Sequence, residues 1–224
     1  MITSKNLKVI NVYFVYYVKI LFMLKNDYHH GNLKEELLSV ALNVIATQGI
    51  DELTLKVLAD ATGTARTAIY KHFKSKDSLI KTIIEIGFEK FDESVSLIQT
   101  DKNRPLIDRF YLAAKAYIEF ARSNPNLYRL LFGEKYAFLR GSTMSIKDEK
   151  CSGFGTFKKT IEEGQENGIF KKENSFQKTI ILWSMLHGLS SLLIDGFKNV
   201  DEIYEELFEK MFQDMLAITI AKQS

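Results

Sequence analysis

The sequence predicts an all-α protein in two parts, a short N-terminal three-helix unit and a larger helical domain after it. Three observations predict this. From Leu33 onward apolar residues recur at i, i+3 and i+4, the spacing that gathers them on one face of a helix. No segment alternates apolar and polar residues as a half-buried strand does. Glycines and prolines fall where helices stop and start, as at Gly49, Gly63, Pro105, Pro125, Gly168 and Gly196.

Composition narrows the function classes. A chain of 224 residues makes one or two domains, and 46% hydrophobic residues suffice for a real core. Mixed charge with two prolines argues against a disordered chain. The single cysteine excludes an intrachain disulfide framework or thiolate metal cluster and fits a reducing, cytoplasmic setting. A net charge of +2 does not by itself imply a nucleic-acid partner, so that partner has to be read from where the charge sits. There is no Asp-rich metal motif, Ser–His–Asp signature, phosphate-cradling glycine loop or HExxH. No enzyme activity, cofactor or metal is therefore expected.

Residues 1–26 form a distinct N-terminal extension. Val9 to Leu24 are almost wholly apolar, with Asn11 and Lys19 inside the run. A transmembrane helix needs about 20 apolar residues and tolerates a mid-span lysine poorly. A signal peptide would use Lys5 and Lys8, yet no small-x-small cleavage site follows. The third reading, a spurious extension rich in residues with AT-rich codons, makes Met23 the true start and is preferred. Residues 1–22 are therefore left out of the fold expectation. A membrane-tethered protein stays as an alternative resting on this segment alone.

The elements follow in order. Asn32 caps a first helix whose Leu33, Leu37, Val40, Ala41, Val44 and Ile45 share a face, and Gly49 ends it. Thr54 caps a second, with Leu55, Leu58 and Ala59 inward, which stops at Gly63. A third spans about Thr64 to Phe73. Ser75 caps a fourth, from Lys76 towards Gln99, carrying Leu79, Ile83, Ile86, Phe88 and Phe91. Asn103-Arg104-Pro105 opens a fifth that reaches about Ser123, and Asn124-Pro125 opens a sixth with Leu127, Tyr128, Leu130, Leu131 and Phe132. Proline is harmless in a first turn because its missing N–H has no partner there. Residues 139–153 are polar and glycine-bearing and read as the main loop. A seventh helix runs from about Gly155 to Asn167, an eighth from Ser175 to about Asp195, and a ninth from Val200-Asp201 to near Lys222.

Residues 54–73, TLKVLADATGTARTAIYKHF, carry the functional signal. Two short helices meet at a glycine, the layout of a helix-turn-helix whose second helix enters the DNA major groove. Leu58, Ala59, Ile69 and Phe73 can fix the angle between them, and Ala61, Ala65 and Ala68 are small enough for close approach. From Thr62 to Lys76 the charged residues are Arg66, Lys71, Lys74 and Lys76, with no acid among them. A nearly neutral chain can thus present a basic face to phosphate.

The segment from Tyr28 to Ile83 resembles the DNA-binding domain of the tetracycline-repressor (TetR) family of bacterial transcription regulators. YHHGNLKEELLSVALNVIATQGIDELTL and LADATGTARTAIYKHFKSKDSLI carry the likeness, above all the spacing of Gly63, Tyr70, Phe73 and Lys76. It covers about a quarter of the chain. Asn124 to Phe132, with Trp183, His187 and Gly188, resembles the branch whose ligand-binding domain has a tryptophan–histidine–glycine signature. The resemblance implies a helix-turn-helix domain at 27–82 and an effector-binding and dimerisation domain at 83–224. It implies that Arg66 and Thr67 reach base edges, Arg66 being suited to guanine O6 and N7. At Ala65 a methyl can meet a thymine methyl. Thr54, Lys56, Tyr70, His72 and Lys76 match positions that hold phosphates or the groove wall. Base contact at Lys71 is left open, and Tyr28, His29 and His30 form an arm near the backbone.

Plainer readings stand beside these. Arg66 can be a solvated surface arginine, Tyr70 a core ring with its hydroxyl at the rim, and Thr54 simply an N-cap. Adjacent His29 and His30 point apart on a helix and lack further ligands, so no metal is expected. His187 reads as a packed histidine rather than a ligand or base. Cys151 reads as a lone exposed thiol rather than a redox sensor.

The aromatic residues of the larger domain sit at helical spacing and are mostly core. The candidates for lining a ligand cavity are Phe110, Tyr117, Phe120, Tyr128, Phe132, Phe157, Trp183 and His187. The family usually takes a small apolar or aromatic effector there. The last two helices carry apolar residues on more than one stripe, from Ile180 to Ile194 and from Ile203 to Leu216. One side would pack within the subunit and the other against a second copy. The resemblance implies a homodimer joined by a four-helix bundle, which places two recognition helices on a palindromic double-stranded operator. The expected function is a ligand-responsive repressor in which effector binding moves the fourth helix. Control by a protein partner is the remaining alternative.

Overall fold

The computed structural model describes residues 33–99, 101–140, 152–196 and 199–221. Among them every regular element longer than an isolated bridge is a helix. α1 is Leu33–Gln48, α2 Leu55–Thr62, α3 Arg66–His72 and α4 Lys76–Gln99. α5 is Leu106–Ser123, α6 Pro125–Phe132 and α7 Ala137–Arg140. α8 is Ser152–Glu166, α9 Ser175–Ile194 and α10 Tyr204–Thr219. Single 3-10 turns at Ile50–Glu52 and Asp201–Ile203 lead into α2 and α10. The apolar segment 9–24, the arm residues Tyr28, His29 and His30, and Cys151 lie outside the described residues. Among the described residues no helix is long and apolar enough to cross a membrane.

The local chemistry explains most boundaries. The Thr54 hydroxyl accepts from the Val57 N–H at 3.1 Å, satisfying one of the orphan donors of α2. Gly63 then adopts the left-handed conformation at φ 62°, and the Thr64 N–H reaches back to the Ala59 carbonyl at 3.1 Å. A Cβ is disfavoured at that φ, which is why glycine holds the turn. Ahead of α4, Ser75 and Ser78 cap each other: the Ser78 N–H donates to Ser75 Oγ and the Ser75 N–H to Ser78 Oγ, both at 3.1 Å. This is a capping box with serine in the place of the usual Glu or Gln.

Several sequence expectations shift. α3 begins at Arg66, because Thr64 and Ala65 complete the turn and Ala65 stands extended as the cap residue. Pro105 precedes α5 as its cap instead of lying in the first turn. The expected loop at 139–153 is shorter at both ends, since α7 reaches Arg140 and α8 starts at Ser152. An isolated antiparallel bridge joins Phe170 to Ile220, with Lys171 N–H to Thr219 O at 2.9 Å. It ties the α8–α9 connection to the end of α10.

One buried apolar core runs from α1 through α10. α4 is the long shared element: Leu79, Ile80, Ile83 and Ile84 are buried at its start, and Phe88, Phe91 and Val95 further along. α5, α6 and α8 pack along it. Gly87 lets α6 come close, since a Cβ there would lie 2.8 Å from Leu131 Cδ2 and 3.1 Å from Leu127 Cδ1. Two polar contacts then join α6 and its following turn to the N-terminal unit, Asn126 to the Ala46 carbonyl and Lys135 to Asp51.

Candidate nucleic-acid interface and aromatic cluster

The helix-turn-helix is held from inside. Leu58 and Ala59 of α2, Ile69 of α3 and Phe73 just after it are buried, as is Leu53 before the motif. Ala61 and Ala65 are exposed, so they do not serve the close helix contact expected of them; only Ala68 is half-buried. The opposite face is open. Thr54, Lys56, Ala65, Arg66, Thr67, Lys71 and His72 are exposed, and Lys76 is half-buried at the start of α4. Tyr70 is 53% exposed, which removes the reading of a buried ring. Arg66 and Thr67 occupy the first turn of α3, the part of a recognition helix that meets base edges. Lys71 lies in its last turn, where a cation complements the helix dipole, and His72 follows it. The Thr54 hydroxyl is used as a cap, leaving its lone pairs only partly free for another donor.

The eight residues expected around a ligand divide into two groups. Phe110 and Phe157 lie 5.1 Å apart, centroid to centroid, with their rings tilted, and join Phe170 and Phe212 in the core between α5, α8 and α10. The other six gather around Phe91 of α4. Its ring makes edge contacts with Tyr117, Phe120, Phe132 and Trp183 at 5.0 to 6.1 Å. Phe154 of α8 closes on Trp183 at 5.4 Å. Phe91 and Phe154 are the members the sequence did not single out for this cluster, although helical spacing had marked Phe91 as inward-facing.

Polar groups converge inside this aromatic shell. Tyr128 Oη lies 2.7 Å from His187 Nδ1 and 3.0 Å from Tyr117 Oη, and Tyr117 Oη lies 3.5 Å from the same nitrogen. Burial pushes the Tyr128 hydroxyl up to about 12 and the Tyr117 hydroxyl well above its ordinary value. Desolvation lowers His187. Both tyrosines therefore keep their protons and the imidazole stays neutral at pH 7. The chain that fits is Tyr117 O–H to Tyr128, then Tyr128 O–H to Nδ1, which leaves the His187 proton on Nε2. Ser190, one turn further along α9, is fully buried with its hydroxyl beside Tyr128.

A separate open groove of about 470 Å³ lies on the surface over α8, among Lys102, Lys159, Glu162, Glu163 and Glu166. It is polar and contains none of the expected ligand residues. Its central carboxylate is already engaged: Arg109 Nη2 meets Glu163 Oε1 and Lys102 Nζ meets Oε2, each at 2.5 Å. Those hydrogen bonds, Arg109's first, hold Glu163 down at about 2.

The outer surface of the last two long helices is apolar in places. Ile181 is 49% and Leu192 43% exposed on α9, with Ser184 and Gly188 exposed between them at helical spacing. Ile203, Ile218 and Ile220 are exposed at the ends of α10. The inward faces carry Leu182, Leu186, Leu189 and Leu193 on α9, and Phe208, Phe212 and Met215 on α10.

The geometry agrees with the comparisons. Residues 37–83 match the model for bacterial regulatory proteins of the tetR family, and residues 110–215 match a tetracyclin repressor-like C-terminal domain. The nucleoid occlusion factor SlmA of Vibrio atlanticus is 29% identical over 109 residues, 48% of this chain and 55% of that protein. SlmA of Escherichia coli O1:K1 / APEC is 31% identical over 108 residues, again 48% of this chain and 54% of its own length. The match thus spans about half of these relatives. Among solved structures, a Rhodococcus sp. RHA1 protein of unknown function superposes with a TM-score of 0.68 at 24% identity, over 84% of this chain and 98% of that one. A TetR family transcription regulator from Marinobacter aquaeolei VT8 superposes with a TM-score of 0.64 at 12% identity, over 85% of this chain and 97% of that one. At such identities the superpositions speak for the fold. The matches at both ends of the chain give its identity: it belongs to the TetR family of bacterial regulatory proteins, with a helix-turn-helix domain followed by a tetracyclin repressor-like helical domain.

Proposed function

We propose that this chain is a ligand-responsive transcriptional repressor that binds a palindromic operator as a homodimer. The observation that carries the reading is the outer face of α3, where Arg66, Thr67, Tyr70 and Lys71 stand in solvent on a helix anchored by buried Ile69. Arg66 and Thr67 read base edges, with Ala65 close enough to offer a methyl. Thr54, Lys56, Tyr70, His72 and Lys76 hold the phosphates, and these supply affinity without sequence choice. The DNA-binding domain is residues 27–82, and residues 83–224 take the effector and the second subunit.

The effector site of this reading is the cluster around Phe91, with Tyr117, Phe120, Tyr128, Phe132, Trp183 and His187. Phe110 and Phe157 support it as core. The dimer face is the outer stripe of α9 together with the ends of α10, whose exposed isoleucines and leucine would otherwise remain in water. An effector shifts DNA affinity only as far as it distinguishes the two states. The helices positioned to carry such a shift are α4, which runs from one domain into the other, and α6, which touches both.

The test is fluorescence anisotropy with a duplex from beside the chain's own gene and a scrambled duplex, at fixed physiological salt. Saturable binding that prefers the native duplex, with two subunits per site, is the expected result. Equal, salt-sensitive binding to both duplexes would remove the claim of an operator beside the gene. The name carried by the relatives, nucleoid occlusion factor, supports a second reading in which the chain acts at many sites across the nucleoid. Genome-wide binding spread over numerous sites would favour it.

A further inference from the structure

Arg129 of α6 links two helix ends. Its Nη2 donates to the Ile194 carbonyl at the end of α9, and its Nε to Asp195 Oδ1 at 3.0 Å just beyond. Its Nη1 donates to Asn126 Oδ1 at 3.3 Å, and Asn126 Nδ2 donates in turn to the Ala46 carbonyl at 3.1 Å. Ile194 and Ala46 each lie among the last four residues of a helix, where carbonyls lack an intrahelical donor. A hydrogen-bonded relay therefore runs from the C-terminus of α9 to the C-terminus of α1. Its chemistry fixes its direction. A guanidinium only donates and a backbone carbonyl only accepts, so the group between them must do both. The Asn126 amide does: Arg129 holds its oxygen, which turns its nitrogen towards Ala46. Asn126 and Arg129 stand three residues apart, on one side of α6.

Stability is a minor part of what this relay supplies. The Arg129 side chain is 44% exposed and that of Asp195 62%, and ion pairs so open to water add little to folding. Direction is the larger part. The chain leaves the N-terminal unit through α4. A single connecting helix leaves rotation about its own axis open, and the apolar packing of α6 at Gly87 is not directional. Hydrogen bonds are directional, so a relay to one side of α4 fixes that rotation. The far end of the relay is equally pointed. It grips α9, the helix whose outer face carries Ile181 and Leu192.

We propose that Arg129 and Asn126 are positioning residues that set operator spacing. They hold each recognition helix at one rotation relative to the dimer face and so select the number of base pairs between the two half-sites. This deepens the reading of a dimer on a palindromic operator and rests on it. In this assignment neither residue touches DNA; both act through α1 and the helix-turn-helix packed on it. One added base pair moves a half-site about 3.4 Å along the duplex and about a tenth of a turn around it. A small rotation freed in each subunit therefore admits neighbouring spacings.

The experiment selects binding sites from a library of random DNA duplexes with the full chain, Arg129→Ala, Arg129→Lys and Asn126→Asp. Sequencing the bound duplexes reads the half-site and the spacing separately. The parent should return two inverted half-sites at one spacing. Arg129→Ala should return the same half-site at several spacings, with the preference for the parent spacing over its neighbours reduced about fivefold, the effect of one hydrogen bond. Asn126→Asp keeps the bond to Arg129 but turns an acceptor towards the Ala46 carbonyl, so it should broaden the spacing in the same way. Arg129→Lys keeps the charge without the fork that serves three acceptors, and should not restore the single spacing. Affinity for a duplex with one half-site should stay close to the parent value in all three variants, which a general loss of folding would not allow. One unchanged spacing in Arg129→Ala and Asn126→Asp, full rescue by Arg129→Lys, or loss of the half-site itself overturns the assignment. A parent that returns no paired half-sites fails differently, because it sinks the dimeric operator reading on which the assignment rests.

Discussion

The side-chain amide of Asn126 donates to the backbone carbonyl of Ala46 across 3.1 Å and so ties the start of α6 to the last turn of α1. That carbonyl is one of the four at a helix C-terminus that have no intrahelical donor. Two residues along α6, Tyr128 enters the buried hydrogen-bonded cluster, and at the next position Arg129 bonds to Asp195 at 3.0 Å, just past the end of α9. One short helix therefore contacts the DNA-binding unit, the cluster and the helix that carries His187.

Asn126→Ala should destabilise the protein by about 1 kcal/mol, the net worth of a hydrogen bond that water can partly replace. The local signature matters more than the size. Hydrogen exchange should speed up in the last turn of α1 and little in α3. Unchanged exchange at residues 45–48 would show that the contact does not secure the junction.

Arg66→Ala should weaken specific DNA binding by about 1–3 kcal/mol and relax the preference at one base pair. Lys76→Ala should instead weaken all sequences alike and lower the salt slope by about one. Neither side chain takes part in the core, so melting temperatures should stay close to the parent value. A specificity profile that Arg66→Ala leaves intact would take the base-reading role away from this residue.

The N-terminal unit was legible because its signals are local. Thr54 caps within three residues, Gly63 marks a turn by its own backbone angle, and Ser75 opens α4 with a partner three residues on. α7 was not legible: four residues carry too little periodicity to be told from a polar loop. The larger domain follows the same rule. Helical spacing found its helices, but the Tyr128–His187 contact joins positions 59 apart and the Arg109–Glu163 pair positions 54 apart. Such contacts come from how helices cross, and no window of sequence contains both partners. The division of the aromatic candidates has the same origin, because Phe110 and Tyr117 lie on one helix yet face different neighbours.

Substitution on the outer face of α9 should separate folding from dimerisation. A Cβ at Gly188 would meet nothing within 4 Å in the subunit. Gly188→Leu should therefore fold, and so should Ile181→Asp, since both positions face outward. On the proposed interface each would bury a clash or an unpaired charge. Sedimentation should show a monomer, and operator affinity should fall because a single half-site remains. A dimer that survives both changes would place the interface elsewhere.

Acid should unfold the protein in two separable steps. His187 is desolvated, so its folded value lies below the unfolded value of about 6.5. In that window the unfolded chain binds the extra proton, so the stability present above about pH 6.5 is lost as the pH falls through it. The groups facing the ring are the hydroxyls of Tyr117 and Tyr128, which stay protonated throughout and add no charge of their own. Glu163 acts lower down. Arg109 and Lys102 hold it at about 2 against an ordinary 4.5, so its contribution is complete above that ordinary value and is lost as the pH drops towards 2. Melting temperatures measured from pH 8 downward should decline first near pH 6.5 and again below pH 4.5. His187→Gln cannot take up the proton and should flatten the upper step alone. Glu163→Gln should lower stability at neutral pH, since it removes the ion pair between Glu163 and nearly buried Arg109, and should flatten the lower step alone. An upper step that persists in His187→Gln would assign the loss to another group and remove the case for a desolvated imidazole in the cluster.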